Sequence, residues 1–72
     1  MPFLLKRSFS LAGHRTSVAL EPEFWAALER IAGERRFPLS ALVAEVDAAR
    51  SPGRSLASAL RVKALGAARS GA

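Results

Sequence analysis

His14 is the only imidazole in a 72-residue chain that has neither cysteine nor tyrosine, so covalent chemistry has little to work with. A Ser or Cys nucleophile needs a base at hydrogen-bond distance and an acid to orient that base. His14 sits beside a glycine-bearing break in the pattern; it reads as a turn residue or a phosphate contact, and no triad is expected. One His and scattered carboxylates offer no metal-ligand spacing. Gly13, Gly33, Gly53, Gly66 and Gly71 form neither a dinucleotide fingerprint nor a phosphate-binding loop. These absences predict a protein that is not an enzyme, with no cofactor, no metal and no evident small-molecule substrate.

What the chain does carry is positive charge. Eleven Lys and Arg against six Asp and Glu leave a net +5 and a pI near 11.5, which favours an anionic partner, either nucleic acid or acidic lipid. Residues 1–20 hold Lys6, Arg7 and Arg15 with no acid, and residues 50–72 hold Arg50, Arg54, Arg61, Lys63 and Arg69 with no acid. Between them, residues 21–49 hold all six acids against Arg30, Arg35 and Arg36, so two basic ends flank an acidic middle. No window approaches the roughly 18 apolar residues that cross a bilayer, and no membrane span is expected. The absence of cysteine fits a cytoplasmic protein. Met1 to Leu20 has the acid-free, serine-bearing composition of a transit peptide, but its alternating end favours an arm that leads into a strand.

The positions of these charges depend on the elements that hold them. Phe3-Leu4-Leu5 opens the chain, and Ser8, Phe9, Ser10 and Leu11 then alternate as a short strand or an extended arm would. Gly13 breaks the alternation and predicts a turn or bulge. From Arg15 to Leu20 the alternation returns. Thr16, Val18 and Leu20 lie on one face and Arg15, Ser17 and Ala19 on the other, because successive strand side chains point oppositely. Glu21-Pro22-Glu23 starts a helix, with Pro22 where a missing N–H costs nothing and acids near the positive end of the dipole.

This first helix is expected over about Pro22 to Arg35, with Phe24, Leu28 and Ile31 at helical spacing and Trp25, Ala27 and Ala32 widening the apolar face. Pro38 forces a tight turn. Leu39, Leu42, Val43 and Val46 mark a second helix to Ala49, and Arg50-Ser51-Pro52-Gly53-Arg54 is loop chemistry. Ser55 is a fair N-cap for a third helix, in which Leu56, Ala59, Leu60, Val62 and Leu65 form the expected stripe and Gly66 the expected end. The divisions are thus an N-terminal arm or extra strand (1–14), a strand-helix-helix core (15–50), a loop and third helix (51–66), and a frayed tail (67–72). Trp25 beside Phe24 could be a stacking platform for bases, but aromatics at helical spacing favour core packing or a dimer contact.

Half of the residues are apolar, whereas a chain of this length buries only about 60% of the surface its unfolded form exposes. A dimer sharing one core resolves the mismatch. A lone strand is not a stable sheet, but one paired antiparallel with its copy from a second chain makes a ribbon that fits the DNA major groove. Arg15, Ser17 and Ala19 of each chain would face outward. The dimer core would be built from Thr16, Val18, Leu20, Phe24, Trp25, Leu28, Ile31, Leu42, Val43 and Val46. The bland alternative is a monomeric helical miniprotein against which the strand merely packs.

The run Arg15-Thr16-Ser17-Val18-Ala19-Leu20-Glu21-Pro22-Glu23-Phe24-Trp25, followed by Leu28, Ile31 and Phe37-Pro38-Leu39-Ser40-Ala41-Leu42-Val43, resembles the ribbon-helix-helix family of dimeric bacterial DNA-binding proteins. Lys6-Arg7-Ser8 and Ala12-Gly13-His14 before it, and Ser55-Leu56-Ala57-Ser58-Ala59-Leu60-Arg61-Val62 after it, are similar to a subgroup of small bacterial proteins with this domain. The resemblance covers about residues 6 to 65. It implies a mainly α fold with a short β-strand: an intertwined homodimer with an intermolecular two-stranded antiparallel ribbon, plus an extra C-terminal helix.

The resemblance also implies base contacts from Arg15, Ser17 and Ala19. Arg15 can be bidentate to guanine, Ser17 can donate or accept, and Ala19 can offer only a methyl contact to thymine, where family members usually carry a longer polar side chain. The family's phosphate anchor at the start of the second helix falls on the amides of Leu39 and Ser40, since Pro38 has no N–H. Lys6, Arg7 and His14 are further candidate phosphate contacts, with Arg36 able to assist. The function implied is a sequence-specific DNA-binding protein that regulates transcription; assembly of dimers into a tetramer stays open. The alternatives are an antitoxin that neutralises a partner enzyme and a protein-interaction module that has lost DNA binding.

Overall fold

The computed structural model describes residues 3–70, with side chains described as far as Gly66. Its elements are β1 (Leu5–Leu11), β2 (His14–Leu20), α1 (Pro22–Glu34), α2 (Leu39–Ala49) and α3 (Leu56–Ser70). The chain forms a two-stranded antiparallel ribbon followed by three helices.

Both strands of the ribbon come from one chain. β1 pairs with β2 from Leu5↔Leu20 to Leu11↔His14, so residues 6–11 are a strand and not an arm, and β2 has a partner within its own chain on one edge. Only Ala12 and Gly13 separate the strands, with φ of 51° and 83°. Positive φ at both central residues is the type I′ geometry, whose twist matches that of the flanking strands. Glycine takes this conformation freely, whereas Ala12 holds it against its own Cβ at a cost of about 1 kcal/mol.

The ribbon passes into α1 through Glu21, which is extended; the Phe24 and Trp25 amides donate back to its carbonyl at 3.0 and 3.3 Å. At the other end of α1, Arg36 takes a φ of 59° and two bonds close the helix: Phe37 N–H to the Ala32 carbonyl at 3.1 Å and Arg36 N–H to the Gly33 carbonyl at 3.2 Å. This is a Schellman closure with arginine where glycine is usual. Pro38 then caps α2 in an extended conformation.

The core lies between the ribbon's inner face and the three helices. Phe9 and Leu11 of β1, Val18 and Leu20 of β2, Trp25, Leu28 and Ile31 of α1, Leu42 and Val43 of α2, and Leu56, Leu60 and Ala64 of α3 are all buried together. Seven of the residues expected at a dimer core (Val18, Leu20, Trp25, Leu28, Ile31, Leu42 and Val43) are therefore buried inside a single chain. Phe24 and Val46 pack at the margin, and Thr16 is half-buried. β1 and α3 contribute Phe9, Leu11, Leu56, Leu60 and Ala64 to that burial.

Trp25 belongs to this core and not to a stacking surface. Its indole N–H donates to the Leu5 carbonyl at 2.8 Å, tying the start of the ribbon to α1, and its ring lies 5.9 Å from that of Phe9. α3 departs from expectation in two ways. It runs through Gly66 to Ser70, and its buried stripe is Leu56, Ala59, Leu60 and Ala64, with Val62 and Leu65 at 54% and 56% exposure. At about 100° per residue, Val62 and Leu65 fall on the side opposite Leu60, so small Ala64 turns inward in place of two larger side chains. Of the expected 67–72 tail, residues 71–72 lie outside the described residues.

Candidate nucleic-acid interface

The register of the ribbon sets Lys6 opposite Ala19, Ser8 opposite Ser17, and Ser10 opposite Arg15. Facing residues of an antiparallel pair share a side of the sheet. These six therefore make one outer face, turned away from the helices that cover Phe9, Leu11, Val18 and Leu20. Lys6, Ser8, Ser10, Arg15 and Ser17 are exposed, and Ala19 is half-buried. The Ser8 and Ser17 hydroxyls share a hydrogen bond of 2.9 Å, and Nη1 of Arg15 donates to Oγ of Ser10 at 3.0 Å.

Arg15, Ser17 and Ala19, the expected base-contacting residues, thus stand on one face, and Lys6 joins them from β1. Ser8 and Ser10 also belong to that face. The sequence reading missed them, although the alternation of Ser8, Phe9, Ser10 and Leu11 carried the signal; what it lacked was a partner strand to place them beside.

The other candidate phosphate contacts are dispersed. Arg7 lies on the inner side, where its Nη1 donates to Glu29 Oε2 at 2.9 Å and its guanidinium sits 5.0 Å from the Trp25 ring centroid. The structure does not bring it to the outer face. His14 is exposed beside the turn, opposite Leu11, and off the six-residue face by strand alternation. At the start of α2 no side chain caps the helix, and the Ala41 and Leu42 amides return to the Pro38 carbonyl at 3.0 and 3.3 Å. The first amides, of Leu39 and Ser40, have no intrahelical acceptor and stand at the positive end of the helix dipole.

Among the described residues, four of the six acids of the middle segment pair with arginines of the framework. Glu29 takes Arg7, Glu45 takes Arg35 through two bonds of 2.6 and 2.9 Å, Asp47 takes Arg50 at 2.8 Å, and Glu21 takes Arg61 at 2.9 Å. Arg61 also lies 5.7 Å from the Phe24 ring, so part of the basic C-terminal segment is compensated within the fold. The carboxyl of Glu21 is held below its ordinary range by a hydrogen bond from its own backbone amide and then by Arg61. That of Glu45 is lowered chiefly by its hydrogen bonds to Arg35. Among the described residues no carboxylate engages Lys6 or Arg15, so the cations of the outer face keep their field.

Among the described residues, no cluster of His, Cys, Asp and Glu could hold a metal, and no helix is long and apolar enough to cross a membrane. Neither the comparison with curated proteins nor that with solved structures returns a match to the chain. The family model of the ribbon-helix-helix domain matches residues 4–68, a span that takes in the hairpin and nearly all of the three helices. A basic ribbon, two helices joined at Pro38 and that match agree, and the chain belongs to the ribbon-helix-helix family of DNA-binding domains.

Proposed function

We propose that this protein is a sequence-specific DNA-binding regulator of transcription that sets the outer face of its ribbon into the major groove. The observation that carries the proposal is that face: two cations unopposed by carboxylates, with three serines and an alanine between them. A two-stranded ribbon fits a groove about 12 Å wide. Arg15 offers a fork to guanine O6 and N7, Ser17 and Ser8 offer hydroxyls, and Ala19 offers a methyl contact to thymine. Lys6 and His14, with the amides of Leu39 and Ser40, take phosphates and fix register without reading sequence. Arg7 is withdrawn from that set by Glu29. As a homodimer, the form in which this family generally binds DNA, two such faces related by a two-fold axis would read a pseudo-palindrome in the bacterial cytoplasm.

Selection from a random duplex library at roughly physiological salt, where nonspecific binding of a basic protein is weak, tests the proposal. A pseudo-palindromic site with a guanine in each half is the expected result; a selection that enriches nothing overturns it. A second reading, the antitoxin or protein-binding module, is favoured by the exposed Val62 and Leu65 on the outer side of α3. It requires a partner whose binding is lost on Val62→Asp while DNA binding is kept.

A further inference from the structure

Arg15 is a long side chain on an exposed strand, yet its guanidinium is not left to wander. Its Nη1 donates across the ribbon to Oγ of Ser10, its directly opposed residue, at 3.0 Å. We propose that Ser10 is a positioning residue for Arg15: it fixes the guanidinium plane so that the Nε–Nη2 edge is presented to guanine, and β1 thereby sets the base preference of β2. The inference rests on the DNA reading above.

Three features support it. First, Ser10 has no other task, since it is exposed, lies outside the core and caps no helix. Its hydroxyl is committed to Arg15, whereas the hydroxyls of Ser8 and Ser17 satisfy each other at 2.9 Å. Second, the rest of the face is poor in base information. The hydroxyl pair accepts any base edge, Ala19 offers a methyl group, and Lys6 is a point charge about 13 Å along the strand from Ser10 by the strand rise. Discrimination falls on the one side chain with a rigid fork. Third, the bond uses Nη1 and leaves the bidentate edge open, so the conformation it selects is the one that can bind guanine, and less rotamer freedom is lost on binding.

The test compares wild type with Ser10→Ala, Ser10→Thr, Ser10→Val and Ser51→Ala. Each is bound to the selected duplex and to the same duplex with its guanine replaced, with thermal melting alongside. The affinity ratio between the two duplexes is expected to fall about tenfold in Ser10→Ala and Ser10→Val, the scale of one good bidentate contact. It should be kept in Ser10→Thr, which retains the hydroxyl, and in Ser51→Ala, which removes an exposed hydroxyl outside the ribbon. Affinity for unrelated duplex and its salt dependence should not move, because no charge changes. Thr and Val both suit a strand and differ by the hydroxyl alone, so their comparison stands even if the alanine variant fails to fold. Equal ratios for Thr and Val overturn the role of Ser10 and leave the DNA reading in place, whereas wild type that prefers no duplex overturns both.

Discussion

Arg7 and Arg15 have the same side chain on the same ribbon and opposite surroundings, and strand parity decides between them. Arg7 faces inward with Phe9 and Leu11 and finds Glu29 and the Trp25 ring; Arg15 faces outward with Ser8 and Ser17 and meets only a hydroxyl. Arg15→Ala should therefore weaken binding to the selected duplex by about 1–3 kcal/mol with the melting temperature unchanged. Arg7→Ala should leave DNA affinity nearly intact and lower stability by less than about 1 kcal/mol, since its ion pair with Glu29 is exposed. Fluorescence anisotropy and thermal melting on both variants check the pair, and a reversed pattern would exchange the two faces. The outward position of Arg15, Ser17 and Ala19 was legible in the alternation of β2. The position of Arg7 was not legible from charge, which says that a residue can meet a phosphate and says nothing of the side on which it stands.

Two elements end on residues that sit in the left-handed region without being glycine. Ala12 occupies the first place of the hairpin turn, and Arg36 occupies the position after the cap of α1. Arg36→Gly and Ala12→Asn should each raise stability by roughly 0.5–1 kcal/mol, or several degrees in a domain of this size. Differential scanning calorimetry measures both, and a fall in either melting temperature would mean that the native side chain makes a contact outweighing its backbone cost. The same two sites explain what the sequence concealed. A break at Gly13 was visible, but an alanine before it does not announce a two-residue type I′ loop, so a hairpin could not be told from an arm. The helices were easier, because Pro22 and Pro38 fix where α1 and α2 begin. The phase of α3 was misread because Val62 and Leu65 are large and apolar, while the angle around the helix favours Ala64.

At the scale of the molecule, β1 and α3 cover much of the apolar surface of the strand-helix-helix core within one chain. Polar contacts then tie the parts together across long separations: Glu21 at the start of α1 holds Arg61 of α3, and Arg35 after α1 holds Glu45 of α2. Both carboxyls are lowered from the ordinary value of 4.5, so the unfolded chain takes up these protons first as pH falls. Their contribution is complete above that value and is lost as pH drops through the lower folded values. Melting temperature should accordingly decline below about pH 4.5, and a double variant Glu21→Gln, Glu45→Gln should melt lower at pH 7 with a flatter acid limb. An acid limb as steep as that of wild type would assign the loss to other groups.

The seven residue pairs of the ribbon are joined in cis by two residues, and the pairing itself does not depend on that link. Each pair between β1 and β2 would be satisfied equally well by strands from different copies, so Ala12-Gly13 acts as a hinge that decides whether the contacts close on one chain or are exchanged. Removing Gly13 strains the fold-back of the hairpin while leaving both strands in place, the circumstance that favours exchange of identical elements between copies. In the variant each copy is expected to donate β1 to the other, so that copies carrying Lys6→Cys mixed with copies carrying Ala19→Cys, a facing pair of the ribbon, form an inter-copy disulfide that the hairpin with Gly13 does not. Reciprocal strand exchange would thus follow from the shortening of a single turn.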